Sequence, residues 1–119
     1  MPMDSILASV KKMLGLDADY TPFDIDIINF INSTLMTLHQ MGVGTSRAFV
    51  ISGDTETWSQ FLEGRTDLEW VKTYVYLKVR LLFDPPSNGS VMEAMNKQCE
   101  ELEWRMNSRI DYESGDVSG

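Results

Sequence analysis

Apolar residues recur along most of this chain at intervals of three and four, the spacing of one face of an α-helix, and the gaps between runs hold glycine, proline or a capping polar residue. In the first run Ile6, Leu7, Val10, Met13 and Leu14 share a face, with Asp4 placed to cap its start and Gly15 to stop its end. Thr21-Pro22-Phe23-Asp24 reads as a second helix start: Thr at the cap, Pro at the first helical position, an acid three residues after the cap. Ile27, Ile31, Leu35 and Leu38 then form an inward stripe that ends at Gly42. Asp54 is placed to cap a short helix with Trp58, Phe61 and Leu62, closed by Gly64. Thr66-Asp67-Leu68-Glu69 has the form of a capping box and opens a helix from Trp70 to Phe83, where Pro85 and Pro86 forbid continuation. Ser90-Val91-Met92-Glu93 is a second such box, followed by a stripe of Val91, Met95, Cys99, Leu102 and Met106.

Between these runs, residues 42–46 form a loop, and Arg47 to Ile51 is a short extended piece with too little strand pattern around it to make a sheet. Asp111 to Gly119 is polar and contains Gly and Ser. The expected architecture is all-α: a bundle of four main helices plus one short helix over residues 1–110, then a flexible C-terminal tail over 111–119.

Charge narrows the function classes. The chain has 119 residues and a net charge of −8, with 3 Lys/Arg against 7 Asp/Glu in residues 1–60 and 7 against 11 in the rest. No basic half or arm is available to neutralise phosphates, which disfavours sequence-specific DNA binding while suiting a surface past which DNA slides. The start, MPMDSILASVKK, lacks the basic then apolar order of a secretory signal, and no apolar run approaches the roughly 18 residues of a membrane span. One cysteine, Cys99, forms no internal disulfide, as suits a reducing cytoplasm.

Catalytic and metal chemistry find little to use. Asp17, Asp19, Asp24 and Asp26 begin like a calcium loop, but Pro22 stands where that loop needs glycine and Ile28 where it needs its last acid. Gly44-Thr45-Ser46-Arg47-Ala48 misses the last glycine of a nucleophile elbow, and a triad would have to use His39, the one histidine. Gly42-Val43-Gly44 lacks the third glycine of a dinucleotide loop, and one His and one Cys match no zinc spacing. Cys99 reads as a small buried hydrophobe, and Glu100, Glu101 and Glu103 as a solvated helix face. No enzyme, metal site or cofactor is expected.

What remains is a surplus of large side chains. Trp58, Trp70 and Trp104 join Tyr74, Tyr76 and Phe83, and Trp104 lies two residues from Leu102, so it points away from the apolar stripe. Arg105 and Arg109 stand one turn apart beside it, while Lys72, Lys78 and Arg80 on the preceding helix oppose the glutamates. Aromatics and arginine are the types enriched where proteins grip one another.

The run VKTYVYLKVRLLFDPP, followed by an acid-rich helix ending EELEWRMN, resembles the head–tail connector proteins (adaptor or head-completion proteins) of siphophage-type tailed bacteriophages. The likeness extends from Asp4 to Met106 and takes in DSILASVKKMLGL and FDIDIINFINSTLMTLHQMGVG. It implies a helical virion protein that forms a ring of about twelve subunits under the portal vertex, matched to the portal's cyclic symmetry. Such a ring extends the DNA channel and takes no part in chemistry. Its implied partners are the portal, a further neck, stopper or tail-completion protein, and genomic DNA that only passes through; it is made in the bacterial host cytoplasm. On this reading the subunit or portal contacts fall on Trp70, Tyr74, Lys78, Phe83, Trp104, Arg105, Arg109, Asp111 and Tyr112, with the last helix and tail ordering against the portal. The competing class is a small helical regulatory or partner-binding protein, antitoxin-like or DNA-binding, which an acidic last helix does not favour.

Overall fold

The computed structural model describes residues 4–45, 47–63 and 70–118, with side chains described as far as Met106. It is all-helical: α1 (Ile6–Met13), α2 (Asp24–Gln40), the short α3 (Trp58–Leu62), α4 (Val71–Phe83) and α5 (Gly89–Ser118), with no strand among the described residues. α5 continues past Asp111, where the sequence reading sets the tail apart. No described helix is long and apolar enough to cross a membrane.

Two of the glycine stops, Gly15 and Gly42, fall where the spacing places them, and Gly64 lies outside the described residues. After α1 the Gly15 and Leu16 amides donate to the Lys12 and Lys11 carbonyls at 3.0 and 2.8 Å. After α2 the Gly42 and Val43 amides do the same to His39 and Leu38 at 3.0 and 2.9 Å. This paired closure needs a left-handed residue, and Gly15 and Gly42 supply it at φ 84° and 85°.

The helix starts differ from expectation, and at α1, α3 and α5 a neighbouring side chain takes the cap instead. Ser5, not Asp4, caps α1, its hydroxyl accepting from the Ala8 amide at 3.2 Å. Asp4 turns to α3 instead and accepts from the Ser59 amide and hydroxyl at 2.9 and 2.6 Å. α2 begins at Asp24 rather than Pro22, because Asp24 donates to the Thr21 carbonyl at 3.1 Å and closes a turn first. Thr57, not Asp54, caps α3 and forms a reciprocal box with Gln60. Asn88, not Ser90, opens α5 by accepting from the Ser90 and Val91 amides at 2.8 and 3.2 Å. The box expected at Thr66–Glu69 lies outside the described residues. α4 stops at Phe83 before the two prolines, as expected.

α2 and α4 form the central pair; α5 packs on α4, and α1 on both. Ile27, Ile31, Leu35 and Leu38 are all fully buried against Val71, Tyr74, Val75 and Val79, each aliphatic contributing about 2 kcal/mol by leaving water. Phe23 meets Phe83 edge-on at 5.2 Å, so the start of α2 lies at the end of α4. On α5 the stripe is buried only in its second half: Cys99, Leu102 and Met106 are inside, whereas Val91 is 46% exposed. The Asp84–Asn88 corner thus lets α5 meet α4 well after its first turn.

The stretch from residue 47 to 57 is held by side chains in place of a sheet. The Asn32 amide accepts from the Ile51 N–H at 2.7 Å and donates to the Ile51 carbonyl at 2.9 Å, as a paired strand residue would. The N-terminus of α1 then pairs with the start of α3: the Ile6 amide donates to Glu56 and the Trp58 amide to Asp4, both at 3.0 Å. The Trp58 indole N–H donates to the Ser9 hydroxyl at 2.8 Å.

Candidate interaction surface

Two groups of types that carry reactive chemistry elsewhere, Cys99 and Asp24, are buried or paired here. Cys99 is buried against α4, and burial pushes its thiol above the usual range, away from the reactive thiolate. Asp24, from the acidic cluster, sits 2.8 Å from the ammonium of Lys11, which is 2% exposed and also donates to the Ala18 carbonyl at 2.9 Å. The Lys11–Asp24 pair is a close ionic contact rather than an aligned hydrogen bond. It ties the end of α1 to the start of α2 in the wall of a cavity of about 360 Å³, whose other lining includes Leu7, Ile28, Gly53 and Asp54. A buried lysine was legible as a position, since Lys11 follows Leu7 by four on the inward face of α1, but its partner was not. Among the described residues no three His, Cys, Asp or Glu side chains could hold a metal ion.

The residues expected to make contacts divide by where the fold places them. Tyr74 is wholly inside, and its hydroxyl donates to the Glu103 carboxylate at 2.8 Å. Burial first, then that carboxylate, holds the phenol well above its usual range. Lys78 lies 3.7 Å from the same carboxylate and 5.9 Å over the Tyr74 ring, so these three side chains fasten α5 to α4. Phe83 is half-buried against Phe23, and Trp70 is half-buried beside the core. Trp104 is 69% exposed, and Arg105 beside it is exposed. Arg109, Asp111 and Tyr112 lie further along the α5 backbone, beyond the described side chains.

Trp104 stands out because hydration of a large aromatic face is unfavourable and the described residues leave most of it uncovered. The fold also exposes a second apolar group that the sequence reading passed over. Tyr20, Phe23 and Ile25 surround the start of α2, with Ile25 76% exposed and the Tyr20 and Phe23 rings 5.9 Å apart. The available signal was the one that marks Trp104: Ile25 lies two residues off its own buried stripe. Asp17, Asp19 and Asp26 are exposed around this group.

A family model described as phage connector protein matches residues 6–113. No curated protein and no solved structure matches the chain.

Proposed function

The chain belongs to the phage connector protein family, and from that premise, which makes it a structural head–tail connector of the virion, we propose that it forms a ring under the portal vertex. The ring joins the DNA-filled head to the tail and continues the DNA channel, with about twelve copies to match a portal's closed symmetry. The family match over nearly the whole chain carries this reading. Two physical features support it. A net charge of −8 keeps passing DNA from sticking by phosphate neutralisation. Trp104 with Arg105 on the outer face of α5 offers a contact of the kind that dominates protein assembly. Interface roles for Trp70, Lys78, Phe83, Arg109, Asp111 and Tyr112 belong to the same proposal, with Tyr74 supporting α5 from inside.

Electron microscopy of the purified protein with and without its portal tests the reading. Rings on the tail-facing side of the portal are expected. Failure to bind the portal, together with DNA binding that falls steeply with salt, would replace it by the regulatory alternative.

A further inference from the structure

The cavity between α1, α2 and the 52–54 bend has a wall of two kinds. Leu7, Ala8, Ala18 and Ile28 make part of it apolar, and its charged groups are Lys11, Asp24 and Asp54. Its volume of about 360 Å³ falls within the size range of sites that bury a ligand. The supports are regular. Leu7 and Lys11 stand one turn apart on α1, and Asp24 and Ile28 one turn apart on α2.

The 52–54 bend is fastened on both sides. Asn32 clamps Ile51 just before it. The Glu56 carboxylate accepts from the Ser52 amide and hydroxyl, both at 2.9 Å, and from the Gly53 amide at 3.4 Å. Asp54 is thereby held at the cavity, half-buried, and among the described residues no hydrogen bond or ion pair reaches its carboxylate. The other two charges cancel, with the Lys11 ammonium 2.8 Å from Asp24. The cavity therefore presents one uncompensated carboxylate beside an apolar wall.

That combination selects its occupant. An anion would meet Asp54, and Lys11 is already spent on Asp24 and the Ala18 carbonyl. A metal ion would need more oxygen ligands than the two carboxylates here, one of which already holds an ammonium. A cation on an aliphatic stem satisfies both the carboxylate and the apolar wall. The surroundings extend the attraction: Asp17 and Asp19 are exposed on either side of Ala18, and Asp26 is exposed on α2, against Lys12 exposed at the end of α1. A field of several carboxylates suits a run of bases on a protein better than a single free amine.

We propose that this cavity receives one arginine or lysine side chain from a basic segment of another neck protein. The aliphatic stem lies along Leu7, Ala8 and Ile28, as long basic side chains do on apolar surface, and the charged head reaches Asp54. Lys11 is the precedent within the chain: its stem is buried and its head rests on a carboxylate. Asp17 and Asp19 meet the neighbouring bases of the segment. The inference rests on the assembly reading above and deepens it by naming one docking face and the chemistry of what docks there.

Argininamide and its uncharged analogue citrullinamide, titrated into the isotope-labelled full chain, test the site by NMR amide shifts. Saturable shifts at Ala8, Gly53 and Asp54 are expected with argininamide, and binding about tenfold weaker with citrullinamide. Asp54→Asn should weaken argininamide about tenfold, and Ala8→Leu, which narrows the cavity and keeps every charge, should do the same while distant shifts report an intact fold. Shifts that never saturate, or that Asp54→Asn leaves unchanged, overturn the cation site. Binding to purified portal and to the purified tail-side neck protein tests the source: Asp54→Lys should lose about tenfold or more with one of them. Two unaffected partners would leave a site for a free amine, and self-association abolished by Asp54→Lys would put a second copy there; either overturns the proposal. A wild-type chain that binds neither partner sinks the assembly reading whatever argininamide does, whereas one that binds both but not argininamide sinks only this site.

Discussion

At the scale of single residues, Tyr74, Asn32 and Lys11 each tie together segments well apart in sequence. Tyr74 gives the clearest consequence. Its raised pKa favours the protonated phenol, so its contribution is full below about pH 10, where the unfolded phenol keeps its proton too. Above that, the unfolded chain ionises while Tyr74 does not, and stability falls as pH rises. Urea denaturation from neutral to strongly alkaline pH should show an alkaline decline that Tyr74→Phe reduces by up to about 1.4 kcal/mol per pH unit. An unchanged decline would place the phenol in water. The apolar stripe of α2 was readable from spacing alone because helix periodicity is local. Asn32 was not: it sits beside that stripe as an ordinary polar residue, and the Ile51 backbone it clamps is 19 residues away. Lys11 is the same case, legible as a position and silent about Asp24.

At the scale of elements, the ends of helices were read unevenly, and the reason differs between the two ends. C-terminal stops depend on a backbone conformation that few residues but glycine adopt, so Gly15 and Gly42 could be placed by composition. N-terminal caps have several near-equal contenders within a turn, and tertiary partners choose among them. Asp4 lost α1 to Ser5 because Ser59 engages its carboxylate, and the Ser59 hydroxyl bond holds the Asp4 pKa below its usual value. Gly44 adds a steric demand to the conformational one. A Cβ there would lie 2.5 Å from Cε1 of the fully buried Phe61, at φ 99°, whereas Gly15 has nothing within 4 Å. Gly15→Ala should therefore cost about 1 kcal/mol and Gly44→Ala clearly more, on the order of 3 kcal/mol, in thermal or urea unfolding. Equal costs would mean that the Phe61 ring yields freely.

At the scale of the whole molecule, the helical class and the connector family were both legible, the first from periodicity and the second from the order of helices around the YLKVRLLFDPP corner. The exposed apolar side chains were legible only in part. Trp104 betrayed itself by facing away from its stripe, while the place of Phe23 needed the packing of the start of α2 on the end of α4. α5 fastens to the body through Cys99, Leu102, Met106 and the Glu103 cluster, all before Asp111. Deleting Asp111–Gly119 should then leave the unfolding free energy within about 0.5 kcal/mol and weaken attachment to the portal. Full attachment of the truncated chain in a binding assay would remove those residues from the portal contact. The pairing of the α1 start with residues 56–59 bears on how the chain gets there. It closes a loop of about fifty residues, at an entropic cost on the order of 3–4 kcal/mol before any contact rewards it, while α4 and α5 are neighbours in sequence and meet cheaply. On topology alone the N-terminal stitch is expected to form after the α4–α5 contact, which stopped-flow refolding followed by fluorescence would check. Trp58, with its indole on Ser9, sits at that closure as a native fluorescent clock, while Trp104 remains in water and stays dark to it.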